Sequence, residues 1–212
     1  MTQQEKQLQK MLYSANQKDV ELALLMIDKN KGEFDVDEIL GMVKIEPGKF
    51  LKGEDKKLTV IEDPYYIGKW NITQGIWKAV MGNNPSSYTD DIRIPVDNFL
   101  WNDMLKFLDE LKKITGVGYR ISTDTEWEYA ADGAQFMPIG EDGMPIQDIW
   151  AGFNDIKDAN KYAWCAENSG GRPHPVGELL PNKAGLYDMS GNYFELVVDE
   201  VMDINDYFKY RV

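Results

Sequence analysis

The chain has 212 residues, of which 43% are hydrophobic and 12% aromatic, so it can bury a core and cannot be disordered along its whole length. Its 23 basic and 36 acidic residues give a net charge of −13, and we therefore expect neither nucleic acid nor a membrane surface as a partner. With one cysteine and one histidine, the chain can form neither an intrachain disulfide nor a metal site that needs two histidines.

Residues 1–34 are predicted to form a short N-terminal helical segment ahead of the main domain, residues 35–212. Apolar residues recur at helical spacing at Leu8, Met11 and Leu12. A second helix is predicted to open at Asn16, and its residues 20–27 are apolar on nearly every side, so it should be covered from more than one direction. Two roles stay open for these helices, which are packing against the main domain and docking of a partner protein.

From residue 35 the pattern changes to short elements separated by frequent turns. The predicted strands cover residues 43–45, 50–51, 58–61 and 65–70. The predicted helices begin at the capping residues Asp35, Thr73 and Thr123, and the longest runs from Trp101 to Gly116. After Gly133 no sustained periodicity follows. This pattern predicts an α+β fold with long ordered loops.

Several segments, taken in order, resemble the sulfatase-modifying-factor family, also called the formylglycine-generating enzyme family. They are residues 48–53, 66–74, 77–86, 95–96, 101–103, 119–131, 174–177 and 181–195, the last reading PNKAGLYDMSGNYFE. The resemblance extends over about residues 42–196. It implies an irregular, loop-rich fold of the C-type-lectin-like kind.

The resemblance also implies a chemistry that this chain is not expected to perform. Formylglycine-generating enzymes oxidise a substrate cysteine with copper and oxygen, and they hold the metal on two cysteines that follow the Gly-Asn-x-x-Glu block. Residues 196–212, which follow that block here, contain no cysteine. Because copper(I) prefers thiolate ligands, we expect no copper and predict a non-catalytic relative. The alternative is a formylglycine-generating oxidase whose catalytic cysteine segment is missing from this chain.

A structural calcium site is predicted at Asp188, Gly191, Tyr193 and Glu195. Two carboxylates and the backbone carbonyls of a glycine-containing loop supply the all-oxygen ligands that Ca²⁺ prefers. The resemblance implies a calcium at the same block. The alternative is that Asp188 and Glu195 only accept hydrogen bonds from backbone amides of a tight loop.

Other chemical candidates have ordinary structural explanations. The acidic residues around Trp127 are expected to be structural, with Glu126 in a capping box and Arg120 in a buried ion pair. Cys165 and His174 form the one possible thiol–imidazole pair, although a lone cysteine is more often a small buried apolar residue.

The functional prediction is a ligand-binding or protein-binding scaffold. Aromatic residues are crowded into the last third of the chain, and exposed aromatics are good binding anchors; the candidates are Tyr193, Tyr207 and Tyr210. The scaffold also resembles the variable proteins diversified by retroelements. The partner is expected to be a protein or a small ligand. No signal peptide is recognisable, so we expect a cytoplasmic protein.

Overall fold

The structure is a computed structural model that describes residues 1–198, and Tyr207 and Tyr210 therefore lie outside the described residues. It has an α+β fold with the elements α1 (Gln3–Leu12), α2 (Gln17–Lys29), α3 (Val36–Leu40), β1 (Met42–Ile45), β2 (Gly48–Lys52), β3 (Lys57–Ile61), β4 (Tyr65–Gly68), α4 (Gln74–Met81), α5 (Trp101–Thr115), α6 (Asp124–Ala131) and α7 (Ala159–Tyr162). Two short 3₁₀ turns, Ala134–Phe136 and Ile156–Asp158, complete the regular structure of this part of the chain. No helix within residues 1–198 is long and apolar enough to cross a membrane.

The strands form two small antiparallel sheets. Strand β1 pairs with β4, so that Met42 lies opposite Gly68, and β2 pairs with β3 in a hairpin. Two-stranded sheets are only marginally stable alone, so helices and loops must supply most of the core. The caps predicted at Asp35, Thr73 and Thr123 are all present, since each side chain accepts a hydrogen bond from the first turn of its helix.

The N-terminal helices are part of the larger hydrophobic core. Helix α2 lies against α1, α4 and α5, as its apolar sequence predicts. Its inner face buries Val20, Ala23, Leu24 and Ile27 in one cluster with the aromatic residues of α4 and α5. Three helices thus cover α2 from more than one side, whereas Leu22 and Leu25, at 48% and 46% exposure, remain uncovered on the opposite face.

A second core lies between the strands, α6 and the loop that carries the predicted calcium ligands. Phe50 and Tyr129 pack with ring centroids 5.3 Å apart, and Leu186 is buried beside them. The end of the described chain is held at the start of α6. There the Val198 amide donates to the Ser122 carbonyl at 3.0 Å, in a parallel bridge.

The indole of Trp70 packs between the N-terminal segment and the loop that contains Tyr187. It packs against Tyr13 of the N-terminal segment at a centroid distance of 4.5 Å and stacks on Tyr187 at 6.1 Å. Two glycines with left-handed backbone, Gly41 and Gly177, lie against its ring. A Cβ atom would stand 2.6 Å from the indole at either glycine, so neither position can carry a side chain without moving Trp70.

We expect Leu24→Ala to lower the free energy of unfolding by about 2–5 kcal/mol, because the substitution opens a cavity in the core shared by α2, α4 and α5. Leu25→Ala, one residue along the same helix, removes an exposed side chain and should change stability by less than about 0.5 kcal/mol. Urea unfolding of both variants measures the difference. Equal losses would show that α2 does not belong to the core.

Gly177→Ala is expected to destabilise the protein more than Gly171→Ala does. Both glycines have φ of 73°, so both variants carry the same backbone strain, of about 1–2 kcal/mol. Only Gly177 faces Trp70, whereas the space beside Gly171 is open to 4 Å. Thermal unfolding with Trp fluorescence compares the two, and equal melting temperatures would contradict the contact with Trp70.

Candidate functional site

The predicted calcium ligands lie in a loop that borders a groove beside α5. The groove, called the α5 groove below, has a volume of about 490 Å³ and is lined mainly by apolar side chains. Its aromatic lining residues are Tyr13, Trp70, Phe99, Phe107, Tyr119, Tyr187, Tyr193 and Phe194. Helix α5 and residues 193–196 both contribute to its lining.

The loop at residues 188–192 is fastened by its own backbone conformation and by an amide side chain. Asp188 and Asn192 have φ of 62° and 67°, a left-handed conformation that Asp and Asn tolerate better than most residues. The Asn192 side chain accepts from the His174 amide at 2.9 Å and donates to the His174 carbonyl at 3.0 Å. A Cβ atom at Gly191 would collide with the Trp164 carbonyl oxygen, so this position requires glycine.

Asp188 is buried, with 3% of its surface exposed, and its two oxygens have different surroundings. Oδ2 accepts a hydrogen bond from the Gly177 amide at 2.9 Å. Oδ1 is buried and has no hydrogen-bond partner among residues 1–198. Burial raises the pKa of this carboxyl, partly offset by the Gly177 amide, so the negative charge is only partly compensated.

Glu195 is the second carboxylate of the loop. Its Oε2 accepts a hydrogen bond from the Trp127 indole at 2.9 Å, and the Asn71 side chain also hydrogen-bonds it. Burial, together with a smaller contribution from the negative charge of Asp188, raises the pKa of Glu195 to about 7 against these hydrogen bonds.

This arrangement leaves room for a bound cation, and the amide-capping alternative describes Asp188 only, because the hydrogen bonds of Glu195 come from the side chains of Trp127 and Asn71. Asp188 uses one oxygen on a backbone amide, as capping requires, and leaves the other available inside the protein. Within the described part of the chain no cluster of three or more Asp, Glu, His or Cys side chains could hold a metal. A calcium ion here would therefore need backbone carbonyls, such as those of Gly191 and Tyr193, in addition to the two carboxylates.

Tyr193 also takes part in the α5 groove, where its side chain forms part of the wall. Its hydroxyl donates to the carboxylate of Asp97, and burial together with that negative charge raises the pKa of Tyr193 to about 12. Of the three predicted ligand-binding tyrosines, this is the one that the structure describes. Sequence reasoning missed Asp97 and the exposed ring of Phe194, because nothing local in the chain indicates that residues 97 and 194 border one groove.

The acidic residues around Trp127 all have structural partners, as predicted. Glu126 closes the capping box of Thr123 and binds Arg120 with both carboxylate oxygens, at 2.5 and 2.7 Å. This ion pair is largely buried, with 11% and 15% of the two side chains exposed. Glu128 accepts from the Gly53 amide at 2.6 Å.

The structure does not bring Cys165 and His174 together as a nucleophilic pair. The His174 ring stacks on Trp164 at a centroid distance of 3.7 Å, and its Nε2 lies 2.8 Å from the Ser169 carbonyl. The thiol of Cys165 instead hydrogen-bonds the carboxylate of Glu167, which lowers the pKa of that carboxyl. Cys165 does not line the α5 groove.

Comparisons with a family model and with known proteins agree on one family. A family model described as "Sulfatase-modifying factor enzyme 1-like domain" matches residues 29–212. "Chaperone protein LppX" of Paenibacillus barcinonensis is 30% identical over 197 residues, which cover 73% of this chain and 69% of that protein. The "Formylglycine-generating enzyme" of Thermomonospora curvata is 30% identical over 148 residues, which cover 66% of this chain and 43% of that enzyme. The chain thus matches less than half the length of that enzyme.

Solved structures share the fold. "Treponema denticola variable protein 1" superimposes with a TM-score of 0.60 at 24% identity, over 76% of this chain and 75% of that one. CarF superimposes with a TM-score of 0.62 at 22% identity, over 76% of this chain and 80% of that one. At these identities the likeness establishes the fold alone, and it agrees with the predicted loop-rich α+β architecture.

Proposed function

Since the chain belongs to the sulfatase-modifying factor enzyme 1-like domain family, we propose that it is a non-catalytic member that uses the family scaffold to bind a ligand. The observation that carries this proposal is the single cysteine. The copper chemistry implied by the family needs two thiolates, whereas this chain has only Cys165, which hydrogen-bonds Glu167 and lies outside the groove.

The ligand of this scaffold is a protein or a small molecule. Two observations support binding as the function: the apolar α5 groove with Tyr193 in its wall, and the fully exposed ring of Phe194 beside it. A related protein is named a chaperone, which favours a protein partner, and another protein with this fold is named a variable protein. We therefore include a variable, retroelement-diversified protein within the proposal. The exposed face of α2 is a further place where a partner protein would dock.

A structural calcium ion is the second part of the proposal. Asp188 and Glu195 would bind it through side-chain oxygens, and Gly191 and Tyr193 through backbone carbonyls. The support is the partly compensated negative charge of the two carboxylates, together with the buried Oδ1 of Asp188 that has no partner in the described chain. When bound, the ion would neutralise this charge and hold the loop that forms one wall of the groove.

The second candidate function is a formylglycine-generating oxidase whose cysteine segment is missing from this chain. It is favoured by the likeness to the Thermomonospora curvata enzyme. In an aerobic assay with copper and a Cys-x-Pro-x-Arg peptide, we expect the peptide cysteine to stay unchanged by mass spectrometry, with that related enzyme as the positive control. Cys165→Ser should behave as the wild type does. Formylglycine formed by the wild-type chain would overturn the non-catalytic proposal.

Calcium is expected to raise the melting temperature by several degrees at pH 8 and much less at pH 5. Because burial raises the pKa of both carboxyls in the folded state, that of Glu195 to about 7, their ionisation costs stability as the pH rises above the ordinary carboxyl range. Calcium offsets that cost, but at pH 5 it must first displace protons. Differential scanning calorimetry with and without a chelator measures the shift.

Asp188→Asn should abolish the calcium shift, since it removes the ligand charge while keeping an acceptor for the Gly177 amide. Asp132→Asn is the matched control, because Asp132 is another carboxyl whose pKa burial raises, to about 6, and it contacts Gln147 rather than the loop. An unchanged melting temperature of the wild type in millimolar calcium at pH 8, or an equal shift in Asp188→Asn, would refute the site.

A further inference from the structure

The exposed apolar surface of the α5 groove is concentrated at one rim, and this distribution indicates what kind of ligand the groove binds. The ring of Phe194 is completely exposed, and Leu196 is 41% exposed on the same wall. Met104 and Leu108 of α5 also line the groove. Large apolar side chains that face water around a concave surface mark a binding site for an apolar group. The volume of about 490 Å³ is in the range of small-molecule pockets.

The charges in the lining are unbalanced towards negative. The charged lining residues are Asp97, Arg120 and Glu195. The guanidinium of Arg120 is paired with Glu126 through two hydrogen bonds, so its charge is largely neutralised. Among residues 1–198, neither Asp97 nor Glu195 forms an ion pair with a basic side chain.

The groove lining contains two carboxylates, Asp97 and Glu195. If calcium binds Glu195, Asp97 is the one that remains available to a ligand. Its hydrogen-bond donors are the Ser87 amide, at 3.3 Å, and the hydroxyl of Tyr193, and both are neutral. A carboxylate has about four acceptor positions, so Asp97 can accept a further, charged donor. The aromatic rings around it favour a cation as well, since the face of an aromatic ring attracts positive charge.

We propose that the α5 groove binds a small organic cation, in which an aryl or branched alkyl body is joined to an amine or guanidinium group. The body packs on the apolar lining, which includes Phe194 and Met104, and the cationic group binds the carboxylate of Asp97. This inference rests on the proposed ligand-binding function and specifies the ligand class. The net charge of −13 assists by drawing cations towards the protein. A lysine or arginine side chain of a protein has the same chemistry. The volume of the α5 groove, however, suits a single cationic group together with its apolar body.

Three probes with the same phenylethyl body test the ligand class with the full chain: 2-phenylethylamine, 2-phenylethanol and 3-phenylpropionate. Ligand-observed NMR titration should give a dissociation constant for the amine at least about tenfold lower than for the alcohol, because a charged hydrogen bond to Asp97 is added. The propionate should bind more weakly than the alcohol. Equal affinities, a preference for the propionate, or no binding of any probe at millimolar concentration would overturn the proposal.

Two variants assign the contacts. Asp97→Asn should lower the affinity for the amine to that for the alcohol while leaving the alcohol unchanged, because asparagine keeps an acceptor for Ser87 and Tyr193. Phe194→Ser should weaken the amine and the alcohol alike, and it spares folding because the ring is exposed. Phe136→Ser is the control, since Phe136 is 54% exposed and does not line the groove. Full amine affinity in Asp97→Asn would overturn the assignment.

The source of the cation is tested with a short peptide that contains one lysine beside a phenylalanine. Affinity for this peptide that is no greater than for the amine supports a small molecule, and affinity at least about tenfold greater would overturn it in favour of a protein. The result is separable from the copper assay. Formylglycine formation would overturn the non-catalytic role without affecting probe binding, whereas failure of the probes would leave the copper result unchanged.

Discussion

The packing of Trp70 against two glycines is the constraint on which the rest of the molecule depends. Its ring contacts Tyr13 from the N-terminal segment, Gly41, which caps the C-terminus of α3, and Gly177 in the loop at residues 174–177. These three parts are far apart in sequence, and no large sheet connects them. A single flat side chain with two broad faces therefore does what interstrand pairing does in a β-sandwich, and the left-handed glycines allow the backbone to approach it.

Buried amides hold the irregular loops in place around that contact. The Asn182 side chain donates to the carbonyls of Ala130 and Ala131 and accepts from two amides of its own turn. Gln74, which is fully buried, donates to the carbonyls of Tyr88 and Pro95. An amide is both donor and acceptor, so it can satisfy backbone groups that lack the regular partners of a helix or strand. This explains how a chain with little regular structure has a well-packed core.

The sequence predicted most elements and much of the fold, because caps and periodicity are local and the family resemblance supplied the architecture. Thr73, Thr123 and Asp35 begin their helices as predicted. The groove and the hydrogen bond between Trp127 and Glu195 could not be predicted from the sequence, because they join residues that are distant in the chain. The exposed leucines of α2 show the same limit, because an apolar pattern does not tell which face its neighbours leave open. Calcium binding stays a prediction, and the proposed roles of Tyr207 and Tyr210 lie outside the described residues.

Along residues 193–196, side chains that stabilise the fold alternate with exposed side chains that determine which ligand the groove recognises. Tyr193 hydrogen-bonds Asp97 and Glu195 hydrogen-bonds Trp127, whereas the ring of Phe194 is fully exposed and Leu196 is 41% exposed. Substitution of Phe194 changes the groove rim without removing a buried side chain. Selection can therefore alter what this wall recognises in single mutational steps, and each intermediate remains folded. A surface of this kind can evolve quickly on a scaffold that stays constant.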